Sequence, residues 1–293
     1  MEGKNSKLSP YLILVLGVIG ISFGSIFTRL STAPPTVIAF YRLALTVLLL
    51  TLPLLRSSGI AELKRLNSCH IALSIISGAF LALHFVAWIT SLKYTSIASS
   101  TVLVSLHPLF VISLGSLFLK EKITPSGFIF AAIALAGSSL ISFGDFRIGR
   151  EALLGDLLAF AGAFFEAGYL MIGRSLRKHL SLLPYVFTVY GSAAILLLVF
   201  NILTGTPLYP YPSKDWLCFF ALAVIPTICG HTVFNWALRY AKAALVSLSI
   251  LGEPVGATIL GMLIFGELPG VAQVCGGILV IIGLALFLYR EKE

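Results

Sequence analysis

Of the 293 residues, 58% are hydrophobic and only 11% charged, which leaves too little charge to cover the surface of a water-soluble fold of this size. Lysine and arginine number 20 against 12 aspartates and glutamates, a formal net charge of +8, but the basic residues sit between apolar runs, where they set membrane orientation instead of gripping nucleic acid. The balance excludes a secreted disulfide scaffold, a disordered chain and an ordinary cytosolic enzyme; Cys69, Cys218, Cys229 and Cys275 are scattered and read as free thiols.

Lys4 and Lys7 precede the first apolar run in the manner of a signal peptide, but that run is of spanning length and others follow, so it reads as a retained span. Apolar runs predict helices at about 11–30, 35–55, 70–92, 97–119, 125–144, 153–173, 183–203, 216–238, 243–265 and 270–289. Pro35, Pro125, Pro184 and Pro269 fall at or near proposed helix starts, where the missing amide hydrogen has no intrahelical partner to lose. Lipid cannot satisfy exposed backbone groups, so these runs imply an all-α bundle of ten transmembrane helices.

The basic residues divide unequally between the two faces. With a cytoplasmic N-terminus, the inner segments hold Lys4, Lys7, Arg56, Lys64, Arg65, Lys120, Lys122, Arg174, Arg177, Lys178, Arg239, Lys242, Arg290 and Lys292. The outer segments hold only Arg29, Lys93, Arg147, Arg150 and Lys214. The expectation is a multi-pass plasma-membrane protein with both termini in the cytoplasm.

A gapless shift of 146 residues aligns Tyr94 with Tyr240, Pro108 with Pro254, Gly115 with Gly261, Glu121 with Glu267 and Gly137 with Gly283. A mid-span proline, a span-end glutamate and glycines are not compositional noise. The chain therefore divides into 1–146 and 147–293, and five spans per unit, an odd number, make the two units inverted repeats. Secondary transporters use this arrangement, with the solute site near the midplane between the repeats. No Gly-rich phosphate loop of the Walker type occurs to suggest an ATP-driven pump.

The chain resembles the EamA family of the drug/metabolite transporter superfamily. In the first unit the resemblance rests on Phe40-Tyr41-Arg42, on Leu106-His107-Pro108-Leu109-Phe110 and on Leu119-Lys120-Glu121; in the second, on Gly252-Glu253-Pro254-Val255 and Phe265-Gly266-Glu267. It implies ten helices in two inverted five-helix repeats, a central cavity lined mainly by the first four helices of each, and export or exchange of small metabolites.

Ionisable residues inside a bilayer are costly, about 2.5 to 3.5 kcal/mol each on insertion scales, and are functional candidates for that reason. Counted at about 1.5 Å per residue from each span's centre, Arg42, His84, His107, Glu166, His231 and Glu253 all lie within about 6 Å of the midplane. Helical spacing puts Thr227, His231 and Asn235 on one face, Ser249, Glu253 and Gly256 on another, and Ser77, His84, Trp88 and Ser91 on a third. Gly155, Ala159, Ala163 and Ala167 form a ridge suited to close helix packing. Pro108 and Pro254, mid-span and repeat-related, should kink their helices beside His107 and Glu253 and free the carbonyls of Val104 and Ile250, which makes them candidates for gating.

In this reading Arg42 meets an anionic solute group or pairs with Glu166 or Glu253, while Glu253 or Glu166 meets a cationic group or a proton. His84, His107, His231 and Asn235 hydrogen-bond, and Trp88 reads first as packing and second as an aromatic wall. Arg29, Lys93, Glu121 and Glu267, near span ends, read as snorkelling or loop contacts. The expected partners are a small-molecule substrate (an amino acid or related amine), a coupling proton and the lipid bilayer, with a homodimer left open and no nucleic acid. No metal or other cofactor is expected, since the histidines lack zinc-like spacing. Two rival readings stand: an intramembrane enzyme using Ser22 of the elbow-like Gly20-Ile21-Ser22-Phe23-Gly24 or a His/Glu constellation, and a non-transporting sensor or scaffold.

Overall fold

The computed structural model describes residues 10–95, 100, 103–121, 123–142, 150–266 and 268–290, all helix or connection. Glu267 and the basic residues at 4, 7, 122, 147 and 292 fall outside them. In chain order the helices are α1 (Pro10–Leu30), α2 (Pro35–Arg56), a short α3 (Gly59–Lys64), α4 (Ser68–Tyr94), α5 (His107–Leu114), α6 (Pro125–Ser142), α7 (Arg150–Arg177), α8 (Leu182–Leu203), α9 (Ser213–Leu222), α10 (Thr232–Ala237), α11 (Ala243–Ile250), α12 (Glu253–Phe265) and α13 (Val271–Arg290). Seven helical segments are long and apolar enough to cross a membrane, and three shorter apolar ones cover His107–Leu119, Pro125–Ile141 and Val271–Phe287. Outward-facing Leu16, Leu117, Phe118, Ile195, Ile202 and Leu263 are exposed, as expected of a surface solvated by lipid.

Sequence spacing treated 97–119, 216–238 and 243–265 as continuous helices, and all three are interrupted. Before Pro108 the chain turns at Ser105–Leu106, and before Pro254 it turns at Leu251–Gly252, so that α5 and α12 each restart on a residue preceding proline. Between α9 and α10, Ala223–His231 adopts π geometry around Pro226, which lacks the amide hydrogen an α-helix needs there. The Thr227 hydroxyl caps this wider turn by donating to Leu222 O, five residues back, at 2.7 Å.

Helix pairing fixes what surrounds the centre. α4 runs along α7, where Ala159, Ala163 and Ala167 are fully buried and Gly168 abuts the Phe80 ring, so the small-residue ridge is a packing surface. α1 lies against the π segment and α12. A Cβ on Gly20 would fall 2.9 Å from Cys229 O, and one on Gly256 would strike the Ser22 side chain. α6 pairs with α13 through backbone close enough that a Cβ on Gly137 would sit 2.6 Å from Val280 N. All four cysteines are free.

Candidate functional site

At the meeting point of α1, α2, α4, α7 and the three interrupted segments lies a cavity of about 50 Å³. Arg42, His84, Trp88, His107, Glu166, His231 and Glu253 line it, with Ile21, Gly24, Phe85, Val104 and Ile250 supplying apolar wall. Residues scattered over more than 200 positions thus converge on one space. The volume admits a few waters and is well under the roughly 300 Å³ at the small end of ligand sites. A solute larger than a few waters needs more room than the cavity offers as it stands.

Arg42, buried on α2, donates from Nε to Thr227 Oγ1 at 2.7 Å and lays its guanidinium carbon 4.5 Å above the Phe85 ring. Of the two readings of Arg42, the ion pair with Glu166 or Glu253 is not formed here: among the described residues neither carboxylate lies within 4.0 Å of the guanidinium. The π turn brings the Thr227 hydroxyl to Arg42 and so anchors its inner nitrogen, and Arg42 lines the cavity. Phe85 and Thr227 are the site residues that sequence reading missed or undervalued. Pro226, in the middle of an apolar run, is the sequence signal for this turn.

Glu166 on α7 is 3% exposed, and its Oε2 accepts no hydrogen bond. The nearest cation candidate is His84 Nδ1 at 3.6 Å, which is closer to Gly162 O, at 3.0 Å. A carbonyl can only accept, so this contact is a hydrogen bond in the tautomer that carries its proton on Nδ1. His84 stacks on Trp88 (centroids 6.2 Å apart, planes 15°), and His231 meets Phe85 edge-on at 5.9 Å. His107 Nδ1 faces Val104 O at 3.0 Å, the carbonyl freed by Pro108, and its Nε2 faces Ser247 O at 3.3 Å. Both oxygens only accept, so the ring serves both at once only as an imidazolium. Glu253 opens α12, where a helix N-terminus favours negative charge, and among the described residues its carboxylate has no ion-pair partner.

Asn235, expected on the face of His231, follows it by one α-helical turn and does not line the cavity. Its amide donates to Tyr169 OH at 2.5 Å and Tyr190 OH at 3.0 Å in a buried cluster below. Pro108 and Pro254 are buried at the helix restarts without lining the space themselves. Ser22 donates to Val18 O at 2.8 Å in the α1–α12 contact and is also outside the lining, which gives the nucleophile reading no support. No group of three or more metal-ligating side chains gathers among the described residues.

At one end of the bundle, Glu121 and Arg174 form an ion pair of 2.7 Å with side chains 11% and 15% exposed. Glu121 Oε2 also accepts the amide of Ala243 at 2.9 Å, and Arg174 donates to Leu238 O at 2.6 Å. Arg177, read from sequence as a loop cation, is fully buried, donating from Nε to Asn235 O at 3.0 Å and also to Leu180 O.

Known proteins share both the sequence and the architecture. The EamA-like transporter family matches this chain twice, over residues 8–143 and 153–289. A Bacillus subtilis protein named uncharacterized transporter YdfC is 26% identical over 99% of this chain and 94% of its own. The pseudopaline exporter CntI of Pseudomonas aeruginosa is 24% identical over 90% and 89%, and a riboflavin transporter of Brucella anthropi 26% over 89% of each. A crystal structure 18% identical in sequence superposes with a TM-score of 0.83 over 98% of this chain and 100% of that one. The chain is a multi-pass membrane protein and belongs to the EamA-like transporter family.

Proposed function

We propose that this protein is a secondary transporter that moves an amino acid or related amine by exposing the central cavity alternately to the two faces of the plasma membrane, in ten spans arranged as two inverted five-helix repeats with both termini cytoplasmic. The observation that carries this reading is the cavity's charge arrangement. Among the described residues Arg42 has no carboxylate partner, and it lines a space shared with Glu166, whose one cation candidate is the His84 ring at 3.6 Å, and with Glu253, which has none. A zwitterion supplies both missing counter-charges: its carboxylate takes the Arg42 fork, and its ammonium takes one of the acids. In the empty protein a proton on an acid lowers the cost of burying it, so solute ammonium and proton compete for the same groups, which couples export to proton entry.

Packing supports the repeat. Gly137 on α6 abuts Gly276 and Val280 on α13, while Gly283 on α13 abuts Phe130 and Ala134 on α6. The two contacts exchange under the 146-residue shift. The α4–α7 pairing likewise has its counterpart in α1 against the π segment. Names of relatives bring transport of pseudopaline and riboflavin into view, both larger than 50 Å³ accommodates without helix separation.

The test is solute counterflow in proteoliposomes against a panel of amino acids, their decarboxylated amines and riboflavin, with and without an imposed pH gradient. Saturable counterflow of an amino acid, lost in Arg42→Gln, is the expected result. Binding without flux for every solute would replace this reading with that of a sensor.

A further inference from the structure

The Glu121–Arg174 ion pair joins more of the molecule than a span-end contact requires. Glu121 follows a π turn (Gly115–Leu119) and Lys120, whose φ of 54° is left-handed, and its amide returns to Gly115 O at 3.1 Å. This hook turns the carboxylate under the bundle. One oxygen takes Arg174 at the end of α7, the other takes the first amide of α11, and Arg174 reaches on to the carbonyls of the turn after α10, Leu238 O at 2.6 Å and Arg239 O at 3.2 Å.

The four segments joined here are those that deliver His107, Glu166, His231 and Glu253 to the cavity. Along each, at about 1.5 Å per residue, the clamp lies about 10 to 20 Å from the cavity residue. Glu121 comes from the first family match and its partners from the second, so a separation of the two matched halves at this end breaks the clamp. We infer that Glu121 and Arg174 are positioning residues that hold this end of the transport path shut, and that their ion pair breaks in every cycle. The inference rests on alternating access as proposed above, and its test reads accessibility instead of flux so that the two can fail separately.

Ser247, fully buried on α11 between the clamp and the cavity with a hydroxyl that makes no hydrogen bond, is the reporter. On a background lacking the native cysteines, Ser247→Cys in oriented proteoliposomes is labelled with an impermeant maleimide added at the clamp end. Glu121→Gln and Arg174→Gln should each raise the labelling rate about tenfold, because a charge-assisted bond that favours the closed state is gone. Arg174→Lys keeps the charge but not the fork and should give an intermediate rate. Unchanged labelling with a lowered melting temperature would show a static staple and overturn the inference, as would failure of Glu121→Gln to fold. Raised labelling in a protein that shows no counterflow of any solute would keep the gate and remove the transporter reading.

Discussion

Thr227→Val removes the anchor of Arg42 without touching its charge, together with the hydroxyl's own bond to Leu222 O, and Thr227→Ser, which keeps both bonds, is its control. The hydroxyl that accepts Arg42 Nε at 2.7 Å disappears, while the cation–π contact with Phe85 remains. A hydrogen bond to a charged donor contributes about 1.5–3 kcal/mol, part of which water or the solute recovers. The fork is then held by the aromatic face alone, at about 0.5–2 kcal/mol. Misaimed, it should bind a carboxylate about tenfold more weakly, about 1.4 kcal/mol, whereas a decarboxylated amine should lose less than about twofold. Arg42→Lys, which gives up both the anchor and the fork, should lose about 30- to 100-fold for the carboxylate solute on the same scale. Competition of each pair of solutes in counterflow measures the ratio directly. Equal losses for both solute types, accompanied by a lower melting temperature, would refute the argument and make Arg42 a purely structural cation.

Glu253→Gln keeps shape and removes titration, so it should insert normally and lose transport driven by a pH gradient; exchange survives if the acid serves only the proton and fails for amine-bearing solutes if it meets the ammonium. Wild-type rates and pH dependence in that variant would move both roles to Glu166. For topology, cysteines at exposed Lys64 and Lys178 should be shielded from an impermeant reagent in intact cells and one at exposed Lys214 labelled; Arg177 is unsuitable because it is buried whichever way the chain faces, and the reverse pattern would overturn the orientation. Gly137→Ala places a methyl 2.6 Å from Val280 N and 2.7 Å from Gly276 O, where backbone must move, so about 1–3 kcal/mol of stability should be lost, read as a lower melting temperature; an unchanged value would show that α6 and α13 pack more loosely than described.

Most of the cavity was legible from depth alone. Arg42, His84, His107, Glu166, His231 and Glu253 are polar at a level of the bilayer where polarity is expensive, and the same cost that makes them rare makes them converge. What hydropathy did not show was the local break in helix geometry. Pro226 removes a donor and the helix widens to five-residue bonding, so Thr227 meets Arg42, while Asn235, one α-helical turn past the π segment, meets the tyrosine cluster instead of the cavity. Ser249 and Glu253 were given a common face that the break at Leu251–Gly252 divides. Arg177 and Glu121 illustrate a different limit. Hydropathy locates the ends of helices, but it cannot say that a terminal charge folds back to bond carbonyls and amides of distant segments. That depends on how four helices meet, which no local window contains.

Gly24 offers the most direct test of alternating exposure. It lines the cavity, and a Cβ there meets nothing nearer than Pro226 Cβ at 3.8 Å, so Gly24→Cys adds its Cβ without a clash. On a background without the native cysteines, in oriented proteoliposomes, an impermeant thiol reagent should label this position from either face, and saturating transported solute should slow labelling from both. Labelling from one face only, under every solute and pH condition, would contradict a central site that is exposed by turns to the two sides.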